Sequence, residues 1–296
     1  VAAADEFTVA QAGLLESEAT ARSRDSCESL PSFAAASALL HEARVLLLPH
    51  TLPMGERSRA QLEERLSNFI VALTREIELA LGSRESEVDP DCEPSASALD
   101  IAHTFVSAIP ELQRVLWADA QAAYDGDPSL YSLHEAFLCY PGVRAVTGYR
   151  IAHLLHCLEV PILPRLITER GHSLTGIDIH PGAVIGERFF IDHGTGVVIG
   201  ETAVIGDNVR MYQGVTLGAK TFAVTPEGRL VKGNPRHPIV EDDVVIYSGA
   251  SVLGRIVIGR GAVIGGNVWV TRDVPPGALV TQAEVRQTSF SHGGGI

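Results

Sequence analysis

Three short polar clusters hold side chains suited to proton transfer and amino-acid binding. They are Asp178-Ile179-His180-Pro181, Asp192-His193-Gly194-Thr195-Gly196 and Arg236-His237-Pro238. A carboxylate beside an imidazole fixes its tautomer and stabilises the imidazolium formed when the ring takes a proton. Such a pair is a general base able to activate a hydroxyl near neutral pH. A guanidinium is a planar, bidentate match for a carboxylate, which Lys would not reproduce. From spacing alone, a histidine satisfied at a turn explains His180 or His193 equally well, so placement has to decide.

The elements that must place them announce themselves by period. From Ile179 onward an aliphatic residue, or Ala once, recurs every six positions at Ile179, Ile185, Ile191, Val197, Ala203, Val209 and Val215. A second train runs through Val240, Ile246, Val252, Ile258, Ile264 and Val270. Neither a helix nor a single strand produces that spacing. Small and turn-forming residues fill the intervals, and such fixed self-similarity predicts a hexapeptide parallel β-helix. With about 18 residues per three-sided coil, Asp178 and His193 fall on adjacent coils near one edge. The two trains are out of phase by one residue, so the winding stops after about Leu217 and resumes near Val240. The intervening Gly-, Pro- and cation-rich stretch, 218–238, is expected to form a loop thrown out from the prism, and long loops inside compact repeats usually carry function.

The first 176 residues read as helical, with apolar residues at three- and four-residue spacing near 33–48, 56–82, 95–125 and 141–158. The clearest stripe is Leu62, Leu66, Phe69, Ile70, Leu73, Ile77 and Leu81. No catalytic motif lies in this half, whose expected work is oligomerisation and one wall of a site. The domains expected are 1–176 helical, 177–275 β-helix and 276–296 a C-terminal tail.

Composition limits the function classes. The net charge of −13 resides entirely in residues 1–130, which hold 22 acidic and 9 basic side chains. That balance argues against nucleic acid or an anionic membrane as partner. No apolar run approaches the roughly 20 residues that span a bilayer. Asp5 and Glu6 stand where a secretory signal would be basic. Four scattered cysteines without a CxxC pair suit a reducing compartment. The expected location is cytoplasmic, or organellar if a leader has been removed.

Across residues 115–275 the chain resembles the serine O-acetyltransferases, hexapeptide acyltransferases that make O-acetylserine from L-serine and acetyl-CoA on the route to cysteine. The resemblance rests on Asp127-Pro128 with Tyr131-Ser132, on Tyr149-Arg150-Ile151-Ala152-His153, and on the three polar clusters. Gly200-Glu201-Thr202-Ala203 and Gly214-Val215-Thr216-Leu217-Gly218 complete it. It implies an α+β protein: a helical N-terminal domain, a left-handed parallel β-helix with an extruded loop, and a tail.

The same resemblance implies roles for single residues. His193 is the general base, oriented by Asp178. Asp127 and Asp192 meet the substrate ammonium, and Arg236 and His237 its carboxylate. Glu201 supports the site from behind. Acetyl-CoA is a co-substrate, with no tightly bound cofactor and no metal. Apart from the resemblance, the sequence itself suggests the pantetheine arm along backbone amides near Gly214 to Gly218 and Ala219, and its phosphates on Lys220 and Lys232, the two lysines of the chain, in the loop. L-cysteine is the implied feedback inhibitor, and a homotrimer or dimer of trimers the implied assembly. Terminal Ile296, behind Gly293-Gly294-Gly295, is the implied contact with O-acetylserine sulfhydrylase.

Two departures from the family pattern bear on acetyl-CoA. The loop before Arg236 is longer than in shorter bacterial forms, and Thr281-Gln282-Ala283-Glu284-Val285 replaces the usual Gly-x-Pro-Ala ending. The rival readings are an acetyltransferase for another hydroxyl, a zinc-binding β-helix carbonic anhydrase using His180, His193 and His237, and a non-catalytic scaffold for the sulfhydrylase.

Overall fold

The structure is a computed structural model, and it describes residues 30–51, 58–84 and 96–282. Among the described residues seven α-helices come first: α1 (Phe33–Leu47), α2 (Arg59–Leu81), α3 (Ala98–Ser107), α4 (Ile109–Gly126), α5 (Leu133–Cys139), α6 (Pro141–Cys157) and α7 (Leu163–Thr175). Side-chain caps start four of them, including α5, where Ser132 accepts from the Glu135 N–H. Ser32 accepts from the Ala35 N–H at 3.0 Å, and Ser58/Gln61 and Ser97/Asp100 form reciprocal capping boxes.

Periodicity over 95–125 suggests one helix, but the chain breaks it at Ala108 so that Pro110 sits in the first turn of α4. There its missing N–H costs no hydrogen bond. Helix α7 lies beyond the four segments that spacing marks as helical, and Pro164 occupies its first turn in the same way. Gly176, in the left-handed region at φ 71°, ends α7 and turns the chain into the prism.

Fourteen short strands follow, from β1 (Asp178–Ile179) to β14 (Leu279–Val280). They visit three parallel sheets in turn, as a hexapeptide-repeat β-helix does. The first sheet is β1-β4-β7-β10-β13, the second β2-β5-β8-β11 and the third β3-β6-β9-β12-β14. Register is strict: Ile179 sits beside Ile199, and Ile199 beside Leu217. The core is an aliphatic column in which Ile199, Val215, Leu217, Ile246 and Ile264 are all buried.

The first aliphatic train needs a correction. Ile179, Ile185 and Ile191 are strand residues, but beyond β3 (Phe190–Ile191) the strands centre on Ile199, Ile205, Met211 and Leu217. Val197, Ala203, Val209 and Val215 are buried at the corners instead. Each hexad buries two positions, one in the strand and one at the corner, and both take aliphatic residues. A six-residue period is therefore blind to a two-residue shift between them. The two extra residues lie in the turn between β3 and β4 (Val198–Ile199), the turn that carries His193. The second train, from Val240 to Val270, holds strand positions throughout.

Helices α4 and α6 lock onto this prism through buried polar contacts. Arg150 forks onto Asp119 at 2.6 and 2.9 Å and donates to the Gly186 carbonyl at 2.7 Å. Asp119 also accepts from the Phe189 N–H, and Tyr149 donates to the Ala183 carbonyl at 2.6 Å. Burial pushes the Asp119 carboxyl up, opposed by Arg150. A buried pair of this kind holds register more than it adds stability. Gly142, near the start of α6, lies so close to the Ile191 carbonyl that any Cβ there would collide with it.

Candidate active site

The predicted residues gather at two edges of the prism. The first edge lies where the chain passes from the third sheet to the first. Asp192 leaves β3, and His193, at φ 56°, heads a turn closed by Gly194 and Gly196 at φ 87° and 79°. The Gly196 N–H donates to the Gly176 carbonyl at 2.8 Å, which places this turn against the start of β1 and Asp178. His193 is 72% exposed at its side chain, with Nδ1 3.8 Å from Oδ1 of the largely buried Asp192. Asp178 is half-buried at the same edge, but among the described residues no hydrogen bond joins it to His193.

Asp127 arrives at this edge from the helical side, as the residue that ends α4. Its Oδ2 accepts from the Tyr140 hydroxyl at 2.6 Å, and its Oδ1 from the Ser129 N–H and hydroxyl at 2.8 and 2.7 Å. Those bonds, Tyr140 foremost, hold the carboxyl below its usual range, with a further pull from the His193 charge. Asp127, Asp192 and His193 thus share one exposed corner.

The second edge lies where the chain passes from the first sheet to the second. Arg236 donates to Glu201 at 2.6 Å, and its backbone N–H to Thr202 Oγ1 at 2.9 Å. His237 is buried, and its Nδ1 accepts from the Thr202 N–H at 3.0 Å, so its proton sits on Nε2. The ring lies across Gly200 so closely that no other residue fits there. Burial pushes Glu201 up, but the hydrogen bond and charge of Arg236 outweigh it and leave the carboxyl below its ordinary range. Arg255 braces the corner from below, donating to the Thr202 and His237 carbonyls at 2.6 and 3.0 Å.

His180 stands at this second edge, its Nδ1 accepting from the Gly182 N–H at 2.9 Å. Burial, and then Arg165, push its imidazole down from 6.5 to about 4. In the unfolded chain the ring takes a proton near 6.5, whereas in the folded chain it stays neutral to about 4. Its stabilising contribution is therefore complete above the unfolded value and drains away as pH falls through that window. His180→Asn, which keeps an acceptor for Gly182 but does not titrate, should flatten the fall of melting temperature across it. His237 and His153 shift in the same direction, so some slope will remain. An unchanged slope would count against this account.

The long segment between β7 (Thr216–Gly218) and β8 (Ile239–Val240) joins none of the three sheets. It contains an isolated antiparallel bridge between Val224 and Leu230. Lys220, Phe222, Val231, Arg236 and Arg255 line a cavity of about 350 Å³ beneath it. Lys232 is exposed and outside that lining. Ile296 lies outside the described residues.

Within one chain, then, Asp127, Asp178, Asp192 and His193 occupy one edge, and Glu201, Arg236 and His237 another. Sequence reasoning missed Tyr140, Ser129, Thr202 and Arg255. Thr202 belongs to a quoted motif, but the other three act through packing that no spacing discloses. Among the described residues no group of three His, Cys, Asp or Glu side chains forms a metal site. No described helix is long and apolar enough to cross a membrane.

Short parallel strands wound through three sheets, with polar turns at the edges, define a hexapeptide-repeat transferase. The model for bacterial transferase hexapeptide (six repeats) matches residues 237–272. "Serine acetyltransferase, plasmid" of Synechococcus elongatus is 48% identical over 278 residues, covering 90% of this chain and 86% of its own. The serine acetyltransferase of Mycobacterium tuberculosis is 51% identical over 162 residues, 55% of this chain and 67% of its own. Among solved structures, serine acetyltransferase isoform 3 of Entamoeba histolytica, in complex with cysteine, superposes with a TM-score of 0.73 at 35% identity, covering 86% of this chain and 84% of its own. The Neisseria gonorrhoeae serine acetyltransferase in complex with serine gives a TM-score of 0.55 at 27% identity, covering 84% and 97%. The chain belongs to the serine acetyltransferase family.

Proposed function

We propose that this chain moves the acetyl group of acetyl-CoA directly onto the hydroxyl of L-serine, with His193 as general base. The observation that carries the reading is the exposed imidazole of His193 at a corner lined by Asp127 and Asp192. A proton on Nδ1, facing the carboxylates of Asp192 and Asp178, leaves Nε2 as the acceptor. Serine's ammonium lies between Asp127 and Asp192. Its hydroxyl proton passes to Nε2 as the oxygen attacks the thioester carbonyl carbon. The tetrahedral intermediate collapses by breaking the C–S bond, and the imidazolium returns the proton to the leaving thiolate sulfur. No acyl-enzyme is needed.

The substrate carboxylate requires Arg236 and His237, which sit on the other edge. Around a threefold axis, the second edge of one copy faces the first edge of the next, so a homotrimer completes each site between two chains. The donor runs past Gly218 and Ala219, with Lys220 and Lys232 on its phosphates under the covering loop. Glu201 holds the Arg236 guanidinium in place. The Entamoeba protein was solved with cysteine and the Neisseria protein with serine. Both amino acids offer the same ammonium and carboxylate, which makes cysteine the inhibitor of this site. Ile296 is the proposed contact with O-acetylserine sulfhydrylase.

Thiol release from acetyl-CoA tests the reading. It should depend on L-serine and be far slower with a sugar or a simple alcohol. Equal rates with and without serine would rule it out.

A further inference from the structure

The two carboxylates assigned to the ammonium come from different parts of the chain, and one short strand holds both. This is β6 (Arg210–Met211), the third-sheet strand next to β3. The Met211 carbonyl accepts the Asp192 N–H at 2.9 Å. Arg210, pointing outward from the same strand, donates to the Gly126 carbonyl at 3.2 Å. Gly126 closes α4, and the next residue is Asp127, where the backbone leaves the helix for φ −122° and ψ 112°.

The contact is close and specific. The Arg210 guanidinium lies over the Phe190 ring, 5.8 Å from its centroid. A Cβ at Gly126 would stand 2.7 and 2.9 Å from the guanidinium Nη2 and Cζ, and 3.0 Å from the Phe190 ring. Glycine therefore allows the cation to reach the helix end, where carbonyls are unpaired and positive charge is favoured. Further ties of α4 to the prism lie upstream of that carbonyl: Arg114 with Glu187, Asp119 with the Phe189 N–H, and Asp125 with Arg188.

We infer that Arg210 is a positioning residue that fixes Asp127 relative to Asp192 through Gly126, and so sets the affinity of the site for the amino-acid ammonium. The inference rests on the proposed role of Asp127 and Asp192. Serine and cysteine present the same ammonium, so both should respond together. Acetyl-CoA has no such group and should not respond.

Full-length enzyme carrying Arg210→Ala, Arg210→Lys, Gly126→Ala, the Gly126→Ala/Arg210→Ala double change, or Asp127→Asn provides the test. Loss of one hydrogen bond to a charged donor predicts a serine KM raised roughly tenfold for Arg210→Ala. The cysteine inhibition constant should rise by a similar factor, with kcat and the acetyl-CoA KM nearly kept. Arg210→Lys, which retains a donor, should recover most of the loss. Gly126→Ala should harm serine binding in the native background and much less once Arg210 is gone, because its main obstacle has been removed. If Asp127→Asn raises the serine KM and Arg210→Ala does not, the positioning role is rejected. Serine and acetyl-CoA KM values rising in parallel would mark Arg210 as merely structural and reject it too. If Asp127→Asn itself leaves the serine KM alone, the ammonium site is misassigned and the inference goes with it.

Discussion

Replacing His193 with Ala should lower kcat by about 10²–10⁴-fold, the usual worth of a positioned general base. The serine KM should move little, because the groups proposed to hold serine, Asp127, Asp192, Arg236 and His237, all remain. A residue acting only as the reaction proceeds lowers kcat and kcat/KM together. The exposed placement of His193 makes this a clean test. Among the described residues it has no buried hydrogen-bond partner to lose, and Asp192, 3.8 Å from its Nδ1, is fixed by its own backbone bond to Met211. Folding should therefore be nearly untouched, and a melting curve close to the native one would verify that. Steady-state thiol release at saturating acetyl-CoA reads the outcome. A loss of only a few-fold would be too small for a missing base, and the proton would need another acceptor.

Legibility in the sequence followed the physics of each element. Hexads are self-announcing because every coil must bury aliphatic side chains at fixed positions, and nothing else in a globular chain produces that period. The second train was read in its true register for this reason. The first was not, since Val197 and Ile199 are both buried and either fits a six-residue count. Asp192 and His193 were visible as polar interruptions, and the two-residue expansion that pushes His193 outward lies in that same turn. The break at Ala108 stayed hidden because a proline within an apolar stretch signals either a stop or a first turn. Tyr140 and Arg210 were illegible for a different reason. Tyr140 contacts Asp127 13 positions away, and Arg210 reaches Gly126 across 84. Such contacts exist only once the helices are seated on the prism. The separation of Arg236 from His193 was also unreadable, because placing them requires knowing which corner interrupts the winding.

That separation carries the second large effect. His193 sits where the chain enters the first sheet, Arg236 and His237 where it leaves, and the width of the sheet stands between them. A single chain thus presents the proposed base with half of the proposed amino-acid clamp at one edge, and the other half of the clamp at the next edge. If neighbouring copies supply the missing half, His193→Ala and Arg236→Ala damage different chains of each site. Each variant alone should be nearly inactive at moderate serine, the first for want of a base and the second for want of a carboxylate partner. Coexpressed with different tags and purified through both, the mixed oligomers should regain activity. In every mixed trimer that carries both tags, one of the three sites pairs an intact His193 with an intact neighbouring Arg236, so about a third of the native sites are restored. Restored sites should show a native serine KM, since their residues are all native. Mixed oligomers no more active than the better single variant would mean that both halves come from one chain. The loop ahead of Arg236 would then have to carry the guanidinium across the first sheet, away from the Glu201 and Thr202 contacts that now hold it.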